Sequence, residues 1–174
     1  MENKSIFSPA FAYGFIVSIV LILFKLILFL AGVDENSYLQ ILFYVVFALG
    51  LLYTMTIIRN KNLGGYITFG KAFMVGFYAT LAISIVMAIY TYFYMTQINP
   101  EMIEEAMSQA EEKIIEANPE MSDEDLETAL NAAKIFMQPG IMSIMSIFGT
   151  LITGTLLSLV GAAFVKRKNP ETGI

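Results

Sequence analysis

Apolar residues along this chain collect into four long runs separated by polar stretches. The runs cover about residues 11–32, 38–58, 72–95 and 141–165. Each approaches or exceeds the roughly 20 residues that an α-helix needs to cross the hydrocarbon core of a bilayer. Inside lipid every backbone N–H and C=O must be satisfied within the segment, so the β-branched and aromatic residues in these runs do not argue for strands. The pattern predicts an all-α membrane protein, a four-transmembrane-helix bundle forming a single membrane domain over residues 1–174. The first run reads as a retained span rather than a cleaved signal peptide. Its basic flank holds only Lys4, and cleavage after Ala31 would put Phe29 where a small residue is needed. Ser8-Pro9 reads as its start signal, a capping residue followed by proline at the first helical position.

The connections differ in character. The loop from Arg59 to Lys71 is short, with a turn signal at Gly64-Gly65, and Tyr66, Ile67 and Phe69 are apolar enough to lie along the membrane interface. The stretch 98–138 changes period. Ile103, Ala106, Met107, Ala110, Ile114 and Ala117 recur at helical spacing, as do Leu126, Ala129, Leu130, Ala133 and Met137. Two amphipathic helices follow, separated by Asn118-Pro119. Ser122 is an N-cap candidate, and Asp123, Glu124 and Asp125 suit the positive end of the helix dipole. Pro139-Gly140 breaks or kinks the chain before the last run. The apolar stripes of this hairpin must fold on each other, cover the mouth of the bundle, or dock a partner.

Charge orients the picture. Lys4, Arg59, Lys61, Lys71, Lys166, Arg167 and Lys168 fall on one side of a four-span chain, against Lys113 and Lys134 on the other. The positive-inside rule then puts both termini in the cytoplasm and the hairpin outside. Tyr38 and Tyr90, Tyr92 and Tyr94 would form the outer aromatic belt, with Tyr13, Tyr53 and Tyr66 near the inner one. The hairpin holds 11 of the 15 acids, so the formal charge of −5 averages a basic inner face and a strongly acidic outer one.

Composition then removes function classes. Without Cys there is no disulfide framework, zinc–thiolate site or thiol nucleophile. Without His there is no imidazole acid or base and no Ser-His-Asp triad. An acidic, apolar chain with a mean hydropathy of +0.69 is a poor candidate for binding nucleic acid, which needs a basic face. The acidic run at 122–125 lacks the alternating ligands and central glycine of a calcium loop. Seven of the 11 Met residues fall between Met95 and Met145, but no His or Cys supports a copper site and packing accounts for them. No cofactor or metal is expected, nor an enzymatic activity.

Three patterns together resemble a known family. They are Gly64-Gly-Tyr-Ile-Thr-Phe-Gly-Lys-Ala-Phe73 before a glycine-containing third span, Ile98-Asn-Pro-Glu101 leading into an acidic hairpin, and a fourth span ending in Lys166-Arg167-Lys168. The chain is similar in these to the domain-of-unknown-function family 4199, small four-span bacterial membrane proteins. The resemblance covers essentially the whole chain. It implies a multi-pass protein of the bacterial inner membrane, and neither an activity nor functional residues.

Two features inside the spans carry candidate function. Small residues recur every four positions at Ala72, Gly76, Thr80, Ser84 and Ala88, and at Ser146, Thr150, Gly154, Ser158 and Ala162. Such rows let helix backbones approach in lipid, and their hydroxyls can bond across the contact. They predict either tight packing of the third span on the fourth or a homodimer seam. Lys25 is the one ionisable residue well inside a run, about 10 Å from the run's outer end at 1.5 Å per residue. Similar depths hold Tyr44, Tyr90 and Ser146, with Gln40 one turn higher. Together they form a candidate intramembrane polar site for an anionic ligand, a lipid head group or a partner's carboxylate. The alternative is that Lys25 snorkels toward Asp34 and Glu35. No span holds the carboxylate that proton-coupled transporters usually need.

The expected function is therefore a non-enzymatic interaction or accessory subunit docking through its acidic hairpin. The alternatives are a small oligomeric transporter or channel, or a lipid-binding protein, built around Lys25. The partners implied are membrane lipid and a membrane or periplasmic protein.

Overall fold

The structure, a computed structural model, describes residues 5–33, 37–168 and 170. Its helices are α1 (Phe7–Leu30), α2 (Ile41–Asn62), α3 (Phe69–Phe93), α4 (Glu101–Ala117), α5 (Asp123–Phe136) and α6 (Pro139–Val165). A 3₁₀ turn, Tyr38–Gln40, leads into α2, and a π turn, Tyr94–Ile98, ends α3. Four helices are long and apolar enough to cross a membrane: α1, α2 with its leading turn, α3 with its terminal turn, and α6.

Local chemistry explains where these helices begin and end. α1 starts earlier than the Ser8-Pro9 signal implies. Ile6 flanks it without a side-chain cap, and Ser8 and Pro9 lie inside the first turn. Proline is still tolerated there, because the first-turn N–H groups have no intrahelical acceptor. At the other end the N–H of Gly32 donates to Phe29 O and that of Val33 to Leu28 O, with Gly32 at φ +67°. This pair of bonds is the Schellman stop, and its left-handed residue favours glycine. Pro139 opens α6 as its first residue, so Pro139-Gly140 starts a helix rather than kinking one.

Two compact units divide the chain, one made of residues 1–87 and 148–174, the other of 88–147. In the first, α1 packs along α2, and glycines set the helix spacing. A Cβ at Gly14 of α1 would strike the backbone of Ala79 on α3. One at Gly76 of α3 would strike Ser158 of α6 and Met55 of α2. One at Gly154 of α6 would strike Thr80 of α3 and Phe47 of α2. α3 is thus held between α1 and α6, and it is the most buried of the four long helices, with 56% of its most apolar window buried against 22–28% in the others. Phe47, Leu21, Leu51, Met55, Ile58, Ile83 and Val75 fill the core. The outward faces carry exposed apolar residues such as Ile27, Leu49, Ile152, Leu156 and Phe164. A soluble bundle would place polar residues there; a lipid-facing one needs apolar ones.

The second unit contains the end of α3, the π turn, α4, α5 and the start of α6. α4 and α5 pack on each other, and α4 also touches the π turn. Ser122 caps α5: its Oγ accepts from Asp125 N–H at 3.2 Å and donates to Asp125 Oδ2 at 2.7 Å. Three acids occupy the first turn of α5 and Lys134 its last, as the helix dipole favours. The two stripes therefore meet, but they close poorly. No residue of α4 or α5 is buried.

Candidate functional site

The small-residue rows occupy the interior of the chain. On α3, Ala72, Gly76, Thr80, Ser84 and Ala88 are all buried. On α6, Gly154, Ser158 and Ala162 are buried, while Ser146 and Thr150 are half-buried. Gly76 faces Ser158 and Gly154 faces Thr80, so each glycine receives the hydroxyl residue of the opposite helix.

The hydroxyls themselves behave differently from the sequence expectation. Thr80 Oγ1 donates to Gly76 O at 2.9 Å, Ser84 Oγ to Leu81 O at 2.9 Å, and Ser146 Oγ to Ser143 O at 2.8 Å. Elsewhere in the helices Ser18 bonds Phe15 O and Thr54 bonds Gly50 O. These bonds return to the residue's own helix instead of crossing the interface. The carbonyl three or four residues back is always within reach of a helical Ser or Thr, so the local partner wins. Ser158 Oγ is buried without a hydrogen-bond partner among the described residues, and it rests against Gly76.

The residues of the polar site have contrasting surroundings. Lys25 is half-buried on α1, and its Nζ lies 5.6 Å from the centroid of the Phe43 ring on α2. The ring face offers a cation–π partner inside the apolar layer. Phe43 was not part of the sequence-derived site. It comes beside Lys25 because α2 packs along α1. Gln40 ends the 3₁₀ turn and is half-buried, its N–H donating to Ser37 O. Tyr44 is exposed, with its ring edge-on to Phe43 at 5.6 Å. Asp34 and Glu35 lie outside the described residues, as does Lys4. Tyr90 and Ser146 belong to the second unit. Tyr90 is buried beside Tyr94, ring centroids 5.6 Å apart, while Tyr92 is exposed. Of the Tyr90, Tyr92 and Tyr94 series, only Tyr92 is therefore open at the surface. Residues four apart share a helix face, and here that face points inward.

Two apolar grooves mark the surfaces. One, about 300 Å³, runs between α1 and α2 and is lined by Tyr13, Val17, Val20, Val46, Gly50 and Tyr53 among others. Tyr13 and Tyr53 meet edge-on across it at 6.5 Å. The other, about 490 Å³ and wide open, lies in the second unit among Ile89, Tyr92, Phe93, Ser143, Ile144 and Ile147. Among the described residues no group of three or more acids is placed to hold a metal ion.

The arrangement that sequence reasoning missed lies where α2 and α6 end and α3 begins. Ile67 N–H donates to Arg167 O at 3.0 Å, and Arg167 N–H returns to Ile67 O at 2.9 Å, forming an isolated antiparallel bridge. Arg59 Nη1 donates to Val165 O at 3.0 Å, giving a charged donor to a carbonyl at the end of α6. Arg167 lies over the Tyr66 ring, 5.8 Å from its centroid. Ile67 is consequently buried, not spread along an interface as its apolar character implied. A pairing between residues 100 positions apart leaves no periodic trace in the sequence.

No curated protein and no solved structure is significantly similar to this chain. A family model described as protein of unknown function (DUF4199) matches residues 12–167. Since that match spans most of an all-helical chain with four membrane-length helices, the chain belongs to the DUF4199 family.

Proposed function

We propose that this chain is a non-enzymatic interaction or accessory subunit of the bacterial inner membrane, docking a membrane or periplasmic protein through its acidic hairpin. The observation that carries the reading is the incomplete closure of the hairpin. α4 and α5 are amphipathic and touch, yet neither buries a residue, and Ile115, Ile135 and Phe136 are exposed. Apolar groups left open on an otherwise charged surface favour a partner that covers them. The acids of the hairpin favour a basic rim on that partner. Charge distribution supports the orientation with both termini and the Arg59–Lys71 loop in the cytoplasm and the hairpin outside. The contact of Lys25 with Phe43 supports a packing role for that cation over the transport and lipid-binding alternatives.

Affinity purification in mild detergent, followed by mass spectrometry, tests this reading. The native chain should retain a protein that is lost from the double variant Ile135→Asp, Phe136→Asp. An identical set of retained proteins would sink the proposal. Cysteine probes introduced at Glu112 and Arg167, in a chain with no native cysteine, should label from opposite sides of the membrane. Labelling from one side would overturn the orientation.

A further inference from the structure

The end of the first unit where α2, α3 and α6 meet concentrates positive charge on a fixed frame. Arg59, Lys61, Lys71, Lys166, Arg167 and Lys168 lie in segments 59–71 and 165–168, and neither segment contains a carboxylate. The two arginines are committed to the frame itself, Arg59 to Val165 O and Arg167 over Tyr66. Lys61, Lys71, Lys166 and Lys168 are exposed and make no ion pair with a described residue.

Six cations with no carboxylate in their own segments and no ion pair among the described residues repel one another, and a loop and a tail free to separate would relieve that repulsion. Here they cannot separate freely, because the Ile67–Arg167 bridge and the Arg59 bond join them. The cost of gathering the cations is therefore met during folding, which leaves the four lysines preorganised for an anion. The frame also sits at the ends of three membrane-length helices, with Tyr66 half-buried and Phe69 exposed beside it. That is the level of lipid phosphates, and aromatic side chains prefer it.

We infer that this bridged basic platform is a binding site for the phosphate head groups of anionic phospholipids, held by Lys61, Lys71, Lys166 and Lys168. A soluble phosphate ester shares the chemistry but lacks the acyl chains that would anchor it beside the helix ends. The site is separate from the hairpin, so its fate does not depend on the docking reading.

The test uses the full chain in mild detergent, titrated with dioleoylphosphatidylglycerol or dioleoylphosphatidylcholine, with lipid adducts counted by native mass spectrometry. Phosphatidylglycerol should bind at least about tenfold more tightly than phosphatidylcholine. A basic residue near an anionic lipid surface typically contributes about a fivefold factor. Lys166→Gln with Lys168→Gln, and separately Lys61→Gln with Lys71→Gln, should therefore each weaken phosphatidylglycerol binding by about tenfold or more. Lys113→Gln with Lys134→Gln, which removes two hairpin cations, should leave it unchanged. Size-exclusion profiles and thermal midpoints check folding. If the Lys61, Lys71 pair fails to fold, the Lys166, Lys168 pair decides, since those residues follow the end of α6. Ile67→Pro keeps every charge but removes one bridge donor, and it should weaken binding several-fold. Equal affinity for the two lipids, or unchanged phosphatidylglycerol binding in a folded lysine variant, would overturn the site. Unchanged binding in Ile67→Pro would overturn its preorganisation. Displacement of phosphatidylglycerol by millimolar glycerol 3-phosphate would overturn the lipid assignment in favour of a soluble phosphate.

Discussion

Helix α3 withdraws Ala72, Val75, Ala79, Thr80 and Ile83 almost completely from solvent, whereas α4, also a regular helix, buries nothing. Two ways of holding a helix stand side by side in one chain. In the first unit, glycines remove the side chains that would keep backbones apart, and packing at close range does the rest. In the second, a serine cap, acids at a helix N-terminus and a half-closed apolar stripe supply most of what fixes the hairpin. The contrast teaches that apolar content does not measure tertiary commitment. α1 is far more apolar than α4, but much of its surface is apolar as a membrane-crossing helix needs, and only a few of its residues are buried.

Substitutions can break this comparison. The largest effect is expected at Gly14, where an added side chain meets the backbone of Ala79 and no rotamer change can make room. Gly14→Leu should cost about 3 kcal/mol or prevent folding, as overpacking of a dense contact does. Gly154→Leu meets side-chain rather than backbone atoms, those of Thr80 and Phe47, and should cost somewhat less. Thermal unfolding in detergent compares the two; an unshifted midpoint in Gly14→Leu would remove close packing as the organising force of the first unit. Next comes Arg59→Ala, which takes a charged donor from Val165 O. It should cost about 1.5 kcal/mol and speed amide exchange at the end of α6.

Smaller effects sharpen the second half of the comparison. Ser122→Ala should lower the stability of α5 by about 1 kcal/mol. Hydrogen exchange should rise in the first turn of α5 and stay unchanged in α1 and α2, because the capping bonds are local. Exchange that rose throughout the chain would mean the hairpin and the bundle unfold together. The smallest change is expected from Lys25→Met. It loses the Phe43 contact but also relieves a charge in the apolar layer, so the net should stay below about 1 kcal/mol. A larger loss in thermal stability would show that the contacts of Lys25 outweigh the cost of its charge.

Much of the architecture was readable in advance, for identifiable reasons. Four runs of lipid-compatible length announce four helices, because backbone hydrogen bonding leaves no other choice in lipid. Ser122, Asn118-Pro119 and the two periodic stripes announce the hairpin, since caps and amphipathic spacing are local properties. Candidate sites were harder to read. Lys25 was conspicuous as a lone charge, but Phe43 became its neighbour only when α2 folded back, and Tyr44 turned outward at the same depth.

The sequence by itself determined helix number, approximate length, charge distribution and the presence of small-residue rows. Each follows from residues close together in the chain. Tertiary structure alone decided that Ile67 pairs with Arg167. It also decided that Gly14 of α1 meets Ala79 of α3 while Gly76 meets Ser158. Those outcomes depend on which atoms arrive beside one another when distant segments pack. A repeat of small residues says that a helix can be approached closely, and only packing selects the helix that does so.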